Sequence, residues 1–375
     1  MILNEDEKAI LQNNPKLAIL NKNKGDRSDC NNYRGISLLS VVGKLFARVI
    51  LTRLQQLAER VYPESQCGFR SNRSTIDMVF SLRQIQEKCR EQSMPLYMSF
   101  VDLAKAFDTV SRSGLFTVPD RIGCPPQLRK LIISFHEIMK ATVQFNGKTS
   151  DEFQVQSGVK QGCVLAPTLF GIYFSVLLQC AFQDCSEGIY LRTRSDGRLF
   201  NIARLRARTK TRSILLRELL FADDAAFVCH SQEDLQCILN KLQIMCRKFS
   251  LVISIKKTVI MTQNVDQPTT ILLNNQVLDE VSEFTYLGST TTSNLCLDKE
   301  LNTRIGKAAT TFSRLTSRAW NNRKLTLKTK ILIHQACILS ILLYGAETWT
   351  TYAHHLRKLD TFHMRCLRRI LKITW

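Results

Sequence analysis

The stretch Leu219-Leu-Phe-Ala-Asp-Asp-Ala-Ala-Phe-Val228 sets two adjacent carboxylates, Asp223 and Asp224, in the middle of an apolar run. The apolar residues on both sides predict two short strands, and the acids between them predict a tight hairpin with the carboxylates at its tip. Adjacent carboxylates repel one another unless a cation lies between them. The pattern indicates a divalent metal site, although an Asp-Asp pair without apolar flanks is usually an ordinary surface turn.

A third carboxylate has a similar setting. The run Met94-Pro-Leu-Tyr-Met-Ser-Phe-Val101 predicts a strand, and it ends abruptly at Asp102. Carboxylate oxygens suit Mg²⁺, which takes one or two of them together with substrate phosphates. Two such ions activate an attacking hydroxyl and stabilise a leaving pyrophosphate. The predicted metal ligands are therefore Asp102, Asp223 and Asp224, holding two Mg²⁺ ions with Mn²⁺ as a substitute.

The charge of the chain indicates its partner. The 375 residues include 52 Lys and Arg against 32 Asp and Glu, a net charge of +20. Because 45% of the residues are hydrophobic and only 22% are charged, the chain is not a disordered basic tail. A folded basic protein has a polyanionic partner, nucleic acid first and an anionic membrane surface second. Charge alone does not choose between the two.

The cysteines and the apolar runs bear on location. The 13 cysteines are odd in number and scattered singly, which favours reduced thiols in an intracellular protein over a disulfide scaffold. This does not distinguish the nucleus from the cytoplasm. The longest apolar stretch, Thr168 to Phe182, is shorter than the roughly 20 residues that span a bilayer, so no membrane partner is predicted.

Periodicity predicts the main elements around the carboxylates. Apolar residues recur with helical spacing over Val42 to Val61, Thr75 to Arg90 and Leu128 to Lys140. Asn146-Gly147, between two β-prone segments, is the clearest hairpin signal. His363 and Cys366 have ligand-like spacing, but no second Cys/His pair completes four ligands, so no zinc is predicted.

A basic run at period two is the strongest charge pattern. In a strand its five cations would share one face, where they would either contact nucleic-acid phosphates or form a solvated basic edge. The sequence leaves both interpretations open. The five residues are Arg204, Arg206, Arg208, Lys210 and Arg212.

Six motifs in order resemble one family, the reverse transcriptases of LINE-type, non-LTR retrotransposons. The resemblance runs from about Lys22 to Trp375, and six ordered motifs are far more specific than any one of them. The motifs are Asn32-Tyr-Arg-Gly-Ile-Ser-Leu-Leu39, Gln66-Cys-Gly-Phe-Arg70, Phe100-Val-Asp-Leu-Ala-Lys-Ala-Phe-Asp108, Gly158-Val-Lys-Gln-Gly-Cys-Val-Leu-Ala-Pro-Thr-Leu-Phe170, Phe221-Ala-Asp-Asp224 and Phe284-Thr-Tyr-Leu-Gly288.

The resemblance implies an α+β right-hand polymerase. It divides the chain into fingers (1–96, with the amino-terminal part truncated), a palm with an antiparallel sheet and a returning fingers segment (97–265), and a connection with a helical, basic thumb region (266–375). The three aspartates would lie at the tips of adjoining palm strands. Lys257 would protonate the leaving pyrophosphate and completes the predicted catalytic set.

The resemblance also implies a nucleotide pocket. Lys24 and Arg34 would hold the triphosphate, for which the guanidinium is suited to bidentate contact. Gln161 and Gly162 would form a turn against the incoming nucleotide and the template base. Phe107 would close the sugar pocket against a ribose 2′-hydroxyl, although on spacing alone a core phenylalanine is the simpler interpretation.

The implied activity is RNA-directed DNA polymerisation, with an RNA template, a DNA primer and dNTPs as partners. Elements of this family carry an endonuclease ahead of the polymerase, and the residues before Lys22 are too few for one, so a separate endonuclease is expected. Relatives continue beyond Trp375, which suggests a truncated copy. A catalytically inactive, nucleic-acid-binding remnant of a retroelement is the alternative. Ser250 replaces a usual glycine at a turn that needs a positive φ.

Overall fold

The architecture is taken from a computed structural model, which describes residues 16–21, 26, 28, 29, 32–38, 40–136, 140–145, 148–194 and 211–373. Three predictions fall outside these residues: the triphosphate contact of Lys24, the tip of the hairpin at Asn146-Gly147, and the basic strand from Arg204 to Lys210. Of Arg34 and Arg212 only the backbone is described.

Runs of helices and runs of strands follow one another along the chain, and the last described part is helical. The α-helices are α1 (Val41–Val61), α2 (Thr75–Glu91), α3 (Ala106–Thr109), α4 (Arg112–Arg121), α5 (Pro126–Ser134), α6 (Ala166–Phe182), α7 (Gln232–Lys248), α8 (Asp298–Arg314), α9 (Leu327–Ile333), α10 (Ser340–Leu342) and α11 (Ala353–Leu371). Two π-helical segments, Thr316–Trp320 and His334–Leu339, and one 3₁₀ turn, Ala346–Thr348, lie among the last of them.

The strands are mostly short. They are β1 (Lys16–Asn21), β2 (Tyr33–Leu38), β3 (Leu96–Val101), β4 (Lys140–Phe145), β5 (Lys148–Thr149), β6 (Phe153–Gln154), β7 (Ile189–Arg194), β8 (Thr211–Leu216), β9 (Glu218–Phe221), β10 (Asp224–Cys229), β11 (Val259–Gln263), β12 (Leu272–Leu273), β13 (Gln276–Val277), β14 (Asp279–Glu280), β15 (Glu283–Tyr286) and β16 (Ser289–Thr292).

The chain forms two compact units. The first comprises Met1–Ser74, Tyr97–Ile260 and Thr269–Asp279, and the second comprises Thr75–Leu96, Met261–Pro268 and Glu280–Trp375. The predicted division into fingers, palm and thumb remains a prediction. The α+β fold class is confirmed.

In the first unit, three antiparallel strands carry the predicted site. Strand β10 pairs with β9 on one side and with β3 on the other. All residues of β10 after Asp224 are buried, as is most of β3, which explains why both strands read as nearly continuous apolar runs. A second sheet joins β1 antiparallel to β2 and parallel to β4.

Helix α6 lies at the centre of the first unit's core. It is apolar around its whole circumference, which is the pattern of a helix buried on all sides. Leu169, Phe170 and Leu177 are each no more than 1% exposed. Pro167 lies in its first turn, where a missing N–H costs nothing.

The second unit has its own core, built from α8, α11 and the helical segments between them. Leu301, Trp320 and Ile338 are each no more than 1% exposed. One described stretch, Leu327–Thr348, is long and apolar enough to cross a membrane by length and composition alone, with 28% of that window buried. Core helices of soluble proteins pass the same test, so the expectation of no membrane partner stays a prediction.

The predicted helices agree closely with α1 and α2, whereas the prediction of a helix from Leu128 to Lys140 was wrong at its end. Helix α5 ends at Ser134, and Lys140 begins β4. The ring Nδ1 of His136 lies 2.9 Å from the carbonyl oxygen of Ile132, and the backbone N–H of His136 donates to Ile133. The ring of His136 therefore occupies the carbonyl of Ile132, which in a continuing helix would accept the backbone N–H of His136.

Candidate active site

Asp102 follows directly on the buried strand β3, and a loop near residue 255 is fastened to it. The carbonyl of Asp102 accepts the backbone N–H of Ser254 at 2.8 Å, and its own N–H donates to Oγ1 of Thr258 at 3.4 Å. These bonds bring Nζ of Lys257 to 2.9 Å from Oδ2 of Asp102. Two residues that are 155 positions apart in sequence thus form one ion pair. The proton donation that the resemblance implied for Lys257 stays a prediction.

The hairpin between β9 and β10 carries the other two carboxylates. Asp223 lies in its two-residue turn, and Asp224 is the first residue of β10. Strand β10 pairs Ala225 with Val101 of β3, so the next step of that register sets Asp224 opposite Asp102. Directly opposed residues of antiparallel strands have side chains on the same face, about 5 Å apart at Cβ. The predicted clustering of the three acids is therefore a consequence of the strand register.

The electrostatics of the cluster show that the acids interact. Burial, together with the charges of Asp223 and Asp102, raises the pKa of Asp224 to about 6, although the nearby Lys257 acts to lower it. One ammonium group is thus not enough to offset three carboxylates. A divalent cation, which favours the ionised forms, would complete the set.

The turn formed by Gln161 and Gly162 packs against strand β2. The backbone N–H of Ser37 donates to the carbonyl of Gln161 at 2.7 Å. Gly162 has a φ of +101°, and a Cβ there would lie 2.8 Å from the carbonyl oxygen of Ser37. Only glycine fits both the conformation and the space. The turn thereby joins the strand that carries Arg34.

Phe107 is held from two sides. Its ring is half-buried and stacks on Phe170 with centroids 4.8 Å apart, and its carbonyl accepts the N–H of Val159 at 2.8 Å. The neighbouring Gly158 has a φ of +79°, and a Cβ there would meet backbone atoms of Asp108 at 2.7 Å. The aromatic ring is therefore both a core contact and a partly exposed surface, so the two interpretations of Phe107 are compatible.

Sequence reasoning missed the contribution of Gln66. This residue belongs to a quoted motif but received no role, and its side chain is fully buried against Ala222 of the carboxylate turn. The available signal was its place in the quoted motif from Gln66 to Arg70. Its hydrogen bonds to Ala222 span 156 positions and are invisible in any local pattern.

Among the described residues a further group offers three ligand atoms within 4.8 Å of one another: Asp298, His354 and His355. Nδ1 of His355 accepts the backbone N–H of Tyr352 at 3.2 Å, which leaves the ring proton on Nε2, the atom that faces Asp298. A protonated nitrogen cannot bind a metal, and Lys358 already pairs with Asp298. The group is better explained as an ion-pair cluster at two helix starts.

Strands β3, β9 and β10, with carboxylates at the ends of adjoining strands and helices packed on the sheet, define the palm of a right-hand polymerase. The chain belongs to the family described as reverse transcriptase (RNA-dependent DNA polymerase), whose sequence profile matches residues 20–291. The resemblance drawn from the six motifs is thereby confirmed.

The relatives are polymerases of mobile elements. The chain is 29% identical over 360 residues to the RNA-directed DNA polymerase from mobile element jockey of Drosophila funebris, and 26% identical over 367 residues to its counterpart in Drosophila melanogaster. These alignments cover 92% and 96% of the chain but only 36% and 38% of the relatives. The chain thus spans little more than a third of their length.

A solved structure shares the fold. The apo telomerase from Candida tropicalis superposes with a TM-score of 0.50 at 12% identity, covering 96% of this chain and 63% of the telomerase chain. At that identity the match concerns the fold alone, and it supports the right-hand polymerase architecture.

Proposed function

We propose that this protein is an RNA-directed DNA polymerase of a non-LTR retrotransposon, transferring nucleotides from dNTPs to the 3′-hydroxyl of a DNA primer on an RNA template. The observation that carries the proposal is the juxtaposition of Asp102 with Asp223 and Asp224 at the ends of paired strands. Membership of the reverse transcriptase family supports it.

The three carboxylates fit a pair of Mg²⁺ ions, with Mn²⁺ as a substitute. The donor set consists of oxygen atoms, and the raised pKa of Asp224 reflects acids crowded in a partly buried site. Asp102 and Asp223 would hold both ions, with Asp224 beside them. When bound, the ions supply positive charge to the attacking and leaving oxygens of the phosphoryl transfer.

The protein's own groups would orient the substrates and move protons. Lys257 holds a proton at Nζ beside Asp102 and would deliver it to the leaving pyrophosphate. Lys24 and Arg34 would bind the triphosphate, and the backbone at Gln161 and Gly162 would lie against the nucleotide. Phe107 would exclude a ribose 2′-hydroxyl by its volume.

Template and primer binding is proposed for the basic segments. The residues from 290 to 375 hold 15 Lys and Arg against 4 Asp and Glu, a net charge of +11. Phosphate contacts by such cations release counterions and favour binding. The basic run ending at Arg212 would add to this surface. An intracellular location and a separate endonuclease partner complete the proposal.

Primer extension tests the proposed function. The purified chain is given an RNA template annealed to a DNA primer, with four dNTPs and Mg²⁺, and should produce DNA of template length that disappears when the metal is chelated. RNA binding without any extension would contradict polymerase activity and support the alternative, an inactive nucleic-acid-binding remnant. Extension of the same primer on a DNA template of the same sequence shows whether the protein prefers an RNA template.

A further inference from the structure

The carboxylate turn contains a residue in an unfavourable conformation. Ala222 has a φ of +58°, in the left-handed region. For a residue with a Cβ this costs about 1–2 kcal/mol, and two-residue hairpin turns that need a positive φ at their first central position normally use Gly, Asn or Asp there. The next two residues are Asp223 and Asp224, so the direction of both carboxylates depends on this backbone. Contacts from outside the hairpin must hold Ala222 in place.

The side chain of Gln66 makes those contacts. Its Oε1 accepts the backbone N–H of Ala222 at 2.9 Å, and its Nε2 donates to the carbonyl of Ala222 at 3.3 Å. Oε1 also accepts the N–H of Gly68 at 2.8 Å. A primary amide is suited to this, because it combines an acceptor and donors in one planar group. With the side chain 0% exposed, water does not compete for these bonds.

The backbone around Gln66 is built to let the amide reach the turn. Leu220 of β9 exchanges hydrogen bonds with this segment, donating to the carbonyl of Ser65 at 3.0 Å and accepting from Cys67 at 2.9 Å. At Gly68, a Cβ would lie 2.1 Å from the backbone nitrogen of Ala222, so any larger residue would push the two chains apart. The backbone of residues 65 to 68 thus packs directly against the backbone of β9 and its turn, with no room for a side chain at Gly68.

We propose that Gln66 is a positioning residue for the metal-binding carboxylates, acting by holding Ala222 in its left-handed conformation. Gln66 contacts backbone of the turn and no reacting group. Its amide fixes the direction in which the chain leaves Ala222, and hence where Asp223 and Asp224 present their oxygens. The inference rests on the proposed polymerase function for its kinetic consequences, but the effect on metal binding is independent of turnover.

Replacing Gln66 by Met tests this directly, because the two side chains have similar length while the thioether cannot bond both backbone groups. Gln66→Met should weaken Mn²⁺ binding, followed by electron paramagnetic resonance of the free ion, by about 10-fold. It should lower kcat for primer extension by about 100-fold with little change in KM for dNTP, since misplacement by about 1 Å can cost that much.

Gln86 provides the matched control. It is also 0% exposed and also donates from its amide to a backbone carbonyl, that of Thr292, at 3.1 Å. It belongs to α2 in the other unit. Gln86→Met removes this hydrogen bond and should leave the Mn²⁺ affinity and the Mg²⁺ dependence of extension unchanged, while thermal unfolding of both variants measures the stability that each loses. An equal loss of Mn²⁺ affinity in both variants would mean that Gln66 acts only through general stability, and would overturn the proposal.

A second substitution separates positioning from packing. Glycine adopts a positive φ at no steric cost. If Gln66 works by holding Ala222, then Gln66→Met should cost several-fold less in an Ala222→Gly background than in the wild-type protein, and the two changes should be non-additive. Full additivity would contradict the mechanism.

The outcomes also separate this inference from the proposed function. If the wild-type protein does not extend primers but binds Mn²⁺, and Gln66→Met weakens that binding, the positioning role stands and the polymerase proposal fails. If the wild-type protein extends primers and Gln66→Met matches it in kcat and in Mn²⁺ affinity, the polymerase proposal stands and the positioning role is refuted.

Discussion

The three predicted metal ligands, Asp102, Asp223 and Asp224, lie together because each is at the end of one of the paired strands. Each could be named from the sequence because a carboxylate inside an apolar run is unusual enough to require an explanation. Gln66 could not, because the two hydrogen bonds that tie it to the carboxylate turn go to backbone groups of Ala222, 156 positions away. Local patterns report local structure, and a side chain that acts across the chain leaves no such trace.

Phe107 offers a test of substrate selection. Replacing it by Ala removes the ring that stacks on Phe170, and, if Phe107 borders the sugar pocket as proposed, opens space beside the sugar. We expect incorporation of ribonucleotides relative to deoxyribonucleotides to rise by about 10-fold or more, the scale that one pocket contact contributes to discrimination. Steady-state incorporation of a single dNTP and the matching rNTP measures this ratio. An unchanged ratio would return Phe107 to a purely structural role.

His136 predicts a pH dependence of stability. Its side chain is 1% exposed, and burial lowers its pKa to about 4. Because the pKa of His136 is lower in the folded protein, its contribution to the free energy of unfolding is fully present above the unfolded-state pKa of about 6.5. This contribution is lost as the pH falls towards 4. Between pH 7 and 5 this loss amounts to about 2 kcal/mol.

Replacing His136 by Gln, which keeps a donor for Ile132, should remove that part of the acid sensitivity. Urea unfolding at pH 7 and pH 5 gives the free energy of unfolding that each protein loses on acidification. The difference between the wild-type loss and the variant loss is the part due to His136, since the other titrating groups contribute equally to both. If the two proteins lose the same free energy of unfolding on acidification, His136 is not neutral in the folded state.

Among the secondary-structure elements, the positions of helices were predicted better than the pairing of strands. Helix α1 could be located from its apolar spacing, and the start of α7 is capped by Ser231, whose hydroxyl accepts the N–H of Asp234 at 3.1 Å. The positive φ expected at Ser250 is confirmed at +57°. The end of α5 was misjudged because it depends on the ring of His136 rather than on any stop signal. Which strands pair could not be read from the sequence, since register arises between segments far apart.

The hairpin of β15 and β16 is bound to a buried ion pair within α8. Glu300 is 0% exposed and accepts from Nε of Arg304 at 2.6 Å and from the N–H of Thr290 at 2.7 Å. Arg304 in turn donates to the carbonyl of Gly288 and lies 4.5 Å from the ring centroid of Tyr344. The turn of this hairpin is thereby fixed to the helix.

Removing one partner of that pair should be costly. Glu300→Ala leaves a buried guanidinium without its acid and should destabilise the protein by about 3–5 kcal/mol. The matched control is Glu91→Ala, which breaks an exposed pair with Lys88 and should cost about 0–1 kcal/mol. Denaturant unfolding, followed by a signal from the second unit, gives the free energy of unfolding of each variant. Equal effects of the two substitutions would show that the buried pair is not a determinant of this unit.

For the whole molecule, the net charge of +20 is the dominant property. Composition predicted a polyanionic partner, and the resemblance carried by the motifs favours nucleic acid over a membrane surface. Part of the charge lies on α8, where Lys307 and Arg314 are exposed seven residues apart and line an open groove together with Thr310 and Gly306. Residues at that spacing share one face of a helix.

Binding of an RNA–DNA duplex should therefore depend steeply on salt. If Lys307 and Arg314 each contact a phosphate, replacing both by Ala should reduce the slope of log K against log salt by about 2 in magnitude. Lys88→Ala, at an exposed residue already paired with Glu91, is the control and should leave the slope unchanged. Fluorescence anisotropy between 50 and 200 mM salt gives the slope, and a double variant with the wild-type slope would exclude this helix face from the interface.

The most direct test of the central claim compares primer extension on an RNA template by the wild-type protein, Asp223→Asn and Asp266→Asn. Asp223 lies in the turn beside Asp224, whereas Asp266 is an exposed acid elsewhere in the chain. We predict template-length DNA from the wild-type protein and from Asp266→Asn, and at least a 1,000-fold lower rate from Asp223→Asn, about 4 kcal/mol of transition-state stabilisation. Equal extension by Asp223→Asn and the wild-type protein would contradict the assignment of these carboxylates as the catalytic centre.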